Sequence, residues 1–310
     1  MKALAIDLGG THANCAIIED RKILIAKHLN LDSAQGLITV LPLFVSTLRQ
    51  LLADAGLSIQ DCAGLAVSSC GLVDSKRGKI LSSPQKWEDA QNLDLNAWFQ
   101  RELGLPFRIE NDARMALLGE CYAGVGQGYT EVVMFTLGTG IGGAVMMDGK
   151  LLHGKHSQAG NLGGHQPILF NGRECMCGNI GCAEAEASGW SVPLVAKDWP
   201  GFQNSLLAKE PQVSLEALFR LAAQGDRVSE EIEKRCLRIW AATAVGGVHA
   251  FDPELIIFGG GVMKSADRII PFIQEYVIAH AWAPWGKVQV RAAALGNDAG
   301  LLGAIPLLHS

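Results

Sequence analysis

Residues 131–152 read EVVMFTLGTGIGGAVMMDGKLL: an apolar run, a glycine turn and a second apolar run. Short apolar runs bounded by glycine read as buried strands. The chain opens on the same plan. KALAIDLGGTHANCAIIE (2–19) is a strand, a turn at Gly9-Gly10 and a strand, and KILIAKHLN (22–30) completes a meander. Two halves that each begin strand–turn–strand predict a duplicated α/β fold with a cleft between the halves.

The remaining segments fit that plan. Residues 36–55 and 93–103 carry apolar residues at helical spacing, as do 214–225 and 229–251. GLAVSSCGLVD (64–74) is a strand running into a loop, and FRIENDARMALLGECYAG (107–124) a strand turning directly into a helix. PELIIFGGGV (253–262) is a strand, a glycine turn and a helix start. KVQVRAAAL (287–295) is a final strand and AGLLGAIPLL (299–308) a final helix. The hinge between halves is placed near Gly119–Gly126.

The 310 residues suit two domains, and 49% hydrophobic with 18% charged residues excludes a disordered chain. A net charge of -5 gives no basic field for nucleic acid or an anionic membrane. The apolar N-terminus is broken by Asp7 and Gly9-Gly10, with no A-x-A cleavage site after it, so it reads as a strand and not as a signal peptide. No apolar stretch is expected to approach a membrane span. The expected location is cytoplasmic. Five cysteines (Cys15, Cys62, Cys70, Cys121, Cys236) are scattered through apolar segments, as reduced core cysteines are.

Asp7-Leu8-Gly9-Gly10-Thr11 lets backbone N–H groups and the Thr11 hydroxyl approach a phosphate, with Asp7 positioned for Mg²⁺. Alone it is also an ordinary hairpin turn. Gly138-Thr139-Gly140-Ile141-Gly142-Gly143 is its counterpart in the second half. It lacks the Gly-Lys-Ser/Thr of a Walker A loop, and a strand rather than a helix follows it. A matched pair of Gly/Thr turns predicts a clamp on a polyphosphate. Gly260 and Gly261, after an apolar strand, leave bare backbone for an adenine-ribose. Asn111-Asp112 sits at a strand-to-helix junction. Asp112, ionised at neutral pH, suits a general base that takes a proton from a sugar hydroxyl during phosphoryl transfer. Helix capping by the same pair is the competing reading.

The sharpest local pattern is His165-x9-Cys175-x-Cys177-x4-Cys182. Three thiolates and one imidazole make a closed tetrahedral Zn²⁺ site, structural because no ligand position stays open. The segment is glycine-rich and polar, so metal would set its shape.

Together these motifs resemble the ROK family of sugar kinases and repressors over essentially the whole chain. DLGGT resembles the first phosphate motif, LGTGIGG the second, GGGV the adenosine motif, END the catalytic-Asp motif and CMCGNIGCAE the CxCGxxGCxE zinc signature. The resemblance implies a two-lobed actin-like/hexokinase-like ATPase fold closing around substrate. One lobe is 1–118, completed by the C-terminal helix 297–310, and the other is 119–296. It implies ATP, Mg²⁺ and a structural Zn²⁺, a small-molecule sugar as substrate, and a homodimer. Asp7, Gly9, Gly10, Thr11, Gly138, Thr139, Gly140, Gly142, Gly260 and Gly261 would hold the nucleotide. Asp112 matches the general base. Asn111 and Glu184 match sugar ligands, Gly71 lines the sugar site, and His165 serves both zinc and sugar.

Three departures stand out. His12 follows GGT where the family often has Lys. Ser83-Pro84-Gln85-Lys86-Trp87 replaces an Asn-x-Pro loop. Gly160-Asn161-Leu162-Gly163-Gly164-His165 replaces Gly-Glu-x-Gly-His, with the Glu missing and one residue inserted. The bacterial N-acetylmannosamine kinases share the zinc spacing, the altered Glu and the DAGLLGA ending. The expected reaction is therefore ATP-dependent phosphorylation of the 6-hydroxyl of a hexose or N-acetylhexosamine, N-acetylmannosamine first. Asn161 would meet an acetamido carbonyl, and the inserted glycine would give slack for an acetyl group. Glucose, N-acetylglucosamine and allose are the alternatives. A repressor of the same family would carry a helix-turn-helix ahead of Asp7, where six residues leave no room for one. A non-catalytic sugar sensor is disfavoured by the intact Asp112 and both turns.

Overall fold

The computed structural model describes residues 1–83 and 86–309. Pro84 and Gln85, in the loop that departs from Asn-x-Pro, lie outside the described residues, as does Ser310. The chain forms two compact units. The first comprises Met1–Gly128, His153–Ala159 and Asn297–Ser310; the second comprises Tyr129–Leu152 and Gly160–Gly296.

In the first unit β1 (Lys2–Leu8), β2 (His12–Glu19) and β3 (Lys22–Asn30) precede α1 (Leu37–Asp54) and β4 (Cys62–Ser69). The hairpin β5 (Leu72–Asp74) and β6 (Lys79–Ser82) follows, then α2 (Leu95–Leu103), β7 (Phe107–Asn111) and α3 (Asp112–Ala123). The sheet order is β3-β2-β1-β4-β7, antiparallel in the meander and parallel from β1 through β4 to β7.

The second unit holds β8 (Val132–Leu137), β9 (Ile141–Met147), β10 (Lys150–Leu151), α4 (Ala183–Ala187) and α5 (Val192–Lys197). It continues with α6 (Leu215–Ala223), α7 (Arg227–Phe251), β11 (Leu255–Gly259), α8 (Ala266–His280) and β12 (Gln289–Ala292). Its sheet order, β10-β9-β8-β11-β12, repeats the first sheet strand for strand, with the same antiparallel and parallel pairings. The inner strands β1, β4, β8 and β11 are nearly continuous apolar runs, buried along most of their length.

Two expectations are corrected. The division expected at residue 118 falls inside α3, which stays whole in the first unit. Gly119 there is a packing glycine. The last segment, α9 (Ala299–Leu302) and α10 (Ala304–His309), lies so close that a Cβ on Gly119 would sit 2.0 Å from the Ala299 carbonyl oxygen. Also, α1 is long and apolar enough by composition to cross a membrane, with a mean hydropathy of 1.4 over 18 residues. Its Leu37, Leu41, Phe44, Leu48 and Leu51 are buried in one cluster with Leu4, Ile6 and Ile17 of the sheet. That apolarity serves the core of the first unit.

Candidate active site

Asp112 opens α3 at the end of β7. Asn111 caps the helix, its Oδ1 accepting from the N–H of Ala113 (2.9 Å) and Arg114 (3.3 Å). Its Nδ2 donates to the Gly71 carbonyl (2.8 Å) and to Asp112 Oδ1 (2.9 Å). Both amide hydrogens are thus committed within the protein. Asn111 orients the Asp112 carboxylate and tethers Gly71. Gly71 has φ +91, and a Cβ there would lie 2.2 Å from the Ser82 carbonyl oxygen, so only glycine fits.

The Asp112 side chain is open to solvent on one side. Desolvation by the surrounding chain pushes its carboxyl up to about 6, opposed by the Ala113 N–H; the Asp7 charge adds to the rise, and Lys86 and Asn111 pull it down. A base in that range is ionised at neutral pH yet basic enough to accept a proton. Asp7, at the end of β1, accepts a 2.6 Å hydrogen bond from Ser68 Oγ; burial pushes its carboxyl up as well. In the Gly9-Gly10 turn, the Gly9 N–H donates to the His12 carbonyl and the Gly9 carbonyl accepts from Trp87 Nε1 at 2.8 Å. The Lys86 stem covers Gly10, 2.7 Å from where a Cβ would stand. His12 stacks on His28.

Beneath Asp112 lies a buried ionic network. Glu110 and Arg114 are fully buried and paired (3.4 Å), and His153 Nε2 lies 2.6 Å from Glu110 Oε2. Burial favours the neutral acid, but the His153 hydrogen bond and the Arg114 charge outweigh it and hold Glu110 below the usual carboxylate range. Arg114 donates to the Ser157 and Ala159 carbonyls, which binds the segment His153–Ala159 to this unit.

In the second unit, Gly138, Thr139 and Gly140 form the turn between β8 and β9. The Gly138 and Thr139 carbonyls accept from the N–H groups of Gly189 (2.9 Å) and Trp190 (3.0 Å). The N–H groups of Thr139 and Gly140 have no acceptor among the described residues, the arrangement an anion-binding turn needs. Gly142 lies inside β9, paired with Thr136, rather than in the turn where its nucleotide role was expected. Gly260 has φ +94, and a Cβ there would lie 2.1 Å from the Leu137 carbonyl oxygen, whereas Gly261 faces open space. Beside these glycines is a pocket of about 510 Å³, lined among others by Thr139, Trp190, Pro193, Gln212, Glu216 and Lys264. That volume suits a nucleoside.

His165, Cys175, Cys177 and Cys182 converge so that their ligand atoms lie within 4.8 Å of one another. Cys177 and Cys182 sulfurs are 3.7 Å apart, and Cys175 Sγ is 3.5 Å from His165 Nδ1. A tetrahedron with Zn–S ~2.3 Å and Zn–N ~2.05 Å has edges of about 3.8 Å and about 3.6 Å. The four side chains therefore fit zinc, and no open position remains. Asn161 Nδ2 donates to the Gly143 carbonyl at 3.2 Å. The inserted glycine gives no slack. Residues Gly163–His165 form a tight turn, where a Cβ on Gly164 would lie 2.1 Å from the Ile141 carbonyl oxygen. Close packing on Phe135 of β8 and on Ile141 of β9 accounts for Gly163 and Gly164.

Sequence reasoning missed Ser68, Lys86, Glu110, Arg114 and His153 around the base, and Trp190, Pro193, Gln212, Glu216 and Lys264 around the pocket. Ser68, Lys86, Glu110 and Arg114 lie inside stretches the sequence had already marked (64–74, 83–87 and 107–124); the others carried no signal.

The ROK family profile matches residues 3–310. A glucokinase of Thermotoga maritima is 32% identical over 317 residues, covering 99% of this chain and 97% of the relative. An N-acetylmannosamine kinase of Escherichia fergusonii is 30% identical over 307 residues, covering 98% and 97%. A ROK family glucokinase from Streptomyces griseus, solved in complex with glucose and AMPPNP, superposes with a TM-score of 0.78 at 28% identity over 100% of both chains. The duplicated sheets are those of the actin-like/hexokinase-like ATPase fold. The chain belongs to the ROK family.

Proposed function

We propose that this protein is an ATP-dependent sugar kinase acting on the 6-hydroxyl of a hexose or N-acetylhexosamine, with N-acetylmannosamine as the first candidate. The observation that carries the reading is Asp112: a carboxylate open to solvent, oriented by Asn111 and tuned to about 6. In this reading Asp112 accepts the proton of the 6-hydroxyl. The oxygen forms a bond to the γ-phosphorus, the bond to the bridging oxygen breaks, and ADP leaves. In the first unit Gly71 and Asn111 stand beside the base, and Asn111 also positions it.

The nucleotide would occupy the pocket beside Gly261 in the second unit, with a phosphate at the Thr139-Gly140 N–H groups. Mg²⁺ would be held near Asp7, whose carboxyl, disfavoured as an anion by burial, gains from a cation. Bound there, the ion supplies charge neutralisation for the phosphates. His165, Cys175, Cys177 and Cys182 would hold a structural zinc. A cytoplasmic homodimer belongs to the same reading and rests on the family resemblance. The similarity to a named glucokinase supports glucose as the second substrate reading.

The test is a coupled ADP-release assay over a hexose and hexosamine panel, with Asp112→Asn as control. Turnover on a sugar should fall about 10²-fold or more in the variant while sugar binding persists. Wild-type turnover in the variant, or none on any sugar in the native protein, would remove this reading.

A further inference from the structure

We propose that Glu184 is a positioning residue for the phosphate turn of the second unit, transmitting the shape of the metal-stapled loop to the nucleotide site. The inference rests on the kinase reading above. It adds a task to Glu184, otherwise assigned only to the sugar.

The carboxylate is buried and held on both oxygens. Oε2 accepts from the Ile141 N–H at 2.8 Å, and Oε1 accepts from Trp190 Nε1 at 3.3 Å. Ile141 is the first residue after the Gly138–Gly140 turn, and Trp190 is a wall of the nucleotide pocket. A single side chain thus spans turn and wall. The contact at the turn is close enough that a Cβ on Gly140 would lie 2.5 Å from Oε2, so a bare glycine there admits the carboxylate.

The backbone beyond Glu184 reinforces the same joint. The Gly189 and Trp190 N–H groups bind the Gly138 and Thr139 carbonyls, which turns those carbonyls away from any phosphate. On the other side, Glu184 stands two residues after the metal ligand Cys182. The intervening Ala183 N–H donates to the Gln166 carbonyl (3.0 Å), beside the ligand His165. Glu186 then fastens the same short helix, accepting from the Arg173 N–H (2.5 Å) and from Arg235. The ligand loop has a small core of its own, Cys175, Cys182 and Ala185 with Trp190 against it. Metal is what would fix the place from which Glu184 reaches the turn.

Charge and reach separate this role from its rivals. A carboxylate near a phosphate turn repels anion by its charge and helps only by holding the turn in shape. Glu184→Asp keeps the charge and shortens the reach by one methylene. Glu184→Gln keeps the length, loses the charge and presents an NH₂ to one of two N–H donors. Binding of AMPPNP with Mg²⁺ is measured by calorimetry with no sugar present, alongside metal content and thermal unfolding. Glu184→Asp should raise the AMPPNP Kd about tenfold and Glu184→Gln a few-fold, both with native metal content and fold. An unchanged Kd in both variants, or tighter binding in Glu184→Gln, overturns the proposal and leaves Glu184 to the sugar alone. If Glu184→Asp does not fold, the isosteric Glu184→Gln decides by the same criterion. Native protein that binds no AMPPNP would instead defeat the kinase reading, a separate outcome.

Discussion

Asp112 combines two properties that oppose each other, and both follow from its place at the junction of β7 and α3. The N–H of Ala113 and the Asn111 amide stabilise its anion, while desolvation and the Asp7 charge destabilise it; the second pair wins and the carboxyl sits at about 6. Two consequences follow for pH. As a base it must be ionised, so kcat/KM should fall as pH drops through about 6. Lys86 pulls this value down, so Lys86→Met should move the acid limb of the profile upward; a downward or absent shift would exclude Lys86 from the electrostatics of the base. For stability the sign is the reverse of an ion-paired carboxylate. The folded value lies above the ordinary 3.8, so the folded state binds the proton more tightly. Stability from this group is present below 3.8 and lost as pH rises through about 6. Asp112→Asn should therefore unfold at a higher temperature than native protein at pH 8, with little difference near pH 3.5, as calorimetry would show.

Elements set these residues by turn and cap chemistry. The Gly9-Gly10 and Gly138–Gly140 turns join antiparallel neighbours in matching positions of two sheets. Gly260 follows β11 with φ +94, so close to the Leu137 carbonyl at the end of β8 that no Cβ would fit. The loop from Gly163 to Cys182 is different. It has 3-10 turns and isolated bridges, such as Glu174 with Ile180, in place of long elements. A metal on the His165, Cys175, Cys177 and Cys182 side chains would fix its order. Metal analysis should find about one zinc per chain. Cys177→Ser, or stripping with a strong chelator, should lower the unfolding temperature and open 163–182 to protease while the first unit stays resistant. Metal-free protein with native protease resistance would show that the loop holds itself.

At the scale of the molecule, one plan used twice divides the chemistry. The first unit carries Asp112 and the Asp7 turn; the second carries the His165–Cys182 cluster, the second turn and the pocket beside Gly261. Substrate choice is the property least tied to this plan. The missing family Glu leaves Asn161, whose amide is engaged by the Gly143 carbonyl, and the Gly163-Gly164 pair is consumed by packing on β8 and β9. The case for an acetamido group therefore stands on the neutral side chain and on similarity to an N-acetylmannosamine kinase. Comparison of kcat/KM for N-acetylmannosamine, N-acetylglucosamine, mannose and glucose decides it. N-acetylmannosamine should lead; a tenfold preference for glucose or mannose, about 1.4 kcal/mol in transition-state binding, would make the protein a plain hexokinase.

Features that depend on near neighbours in the chain were legible in the amino-acid order. The duplicated strand–turn–strand openings, the Asn111-Asp112 junction and the His/Cys ligand set all lie within short stretches, where glycine, capping residues and thiolates have few alternative uses. Tertiary structure alone decided the rest. Ser68 meets Asp7 because β4 runs parallel to β1. Glu110 meets His153 because a distant segment returns to the first unit. The pocket beside Gly261 draws on four separated segments, Leu137–Thr139, Gly189–Pro193, Gln212–Glu216 and Gly261–Ser265. The basicity of Asp112 depends on how much chain surrounds it, a quantity set by packing in three dimensions and carried by no single residue.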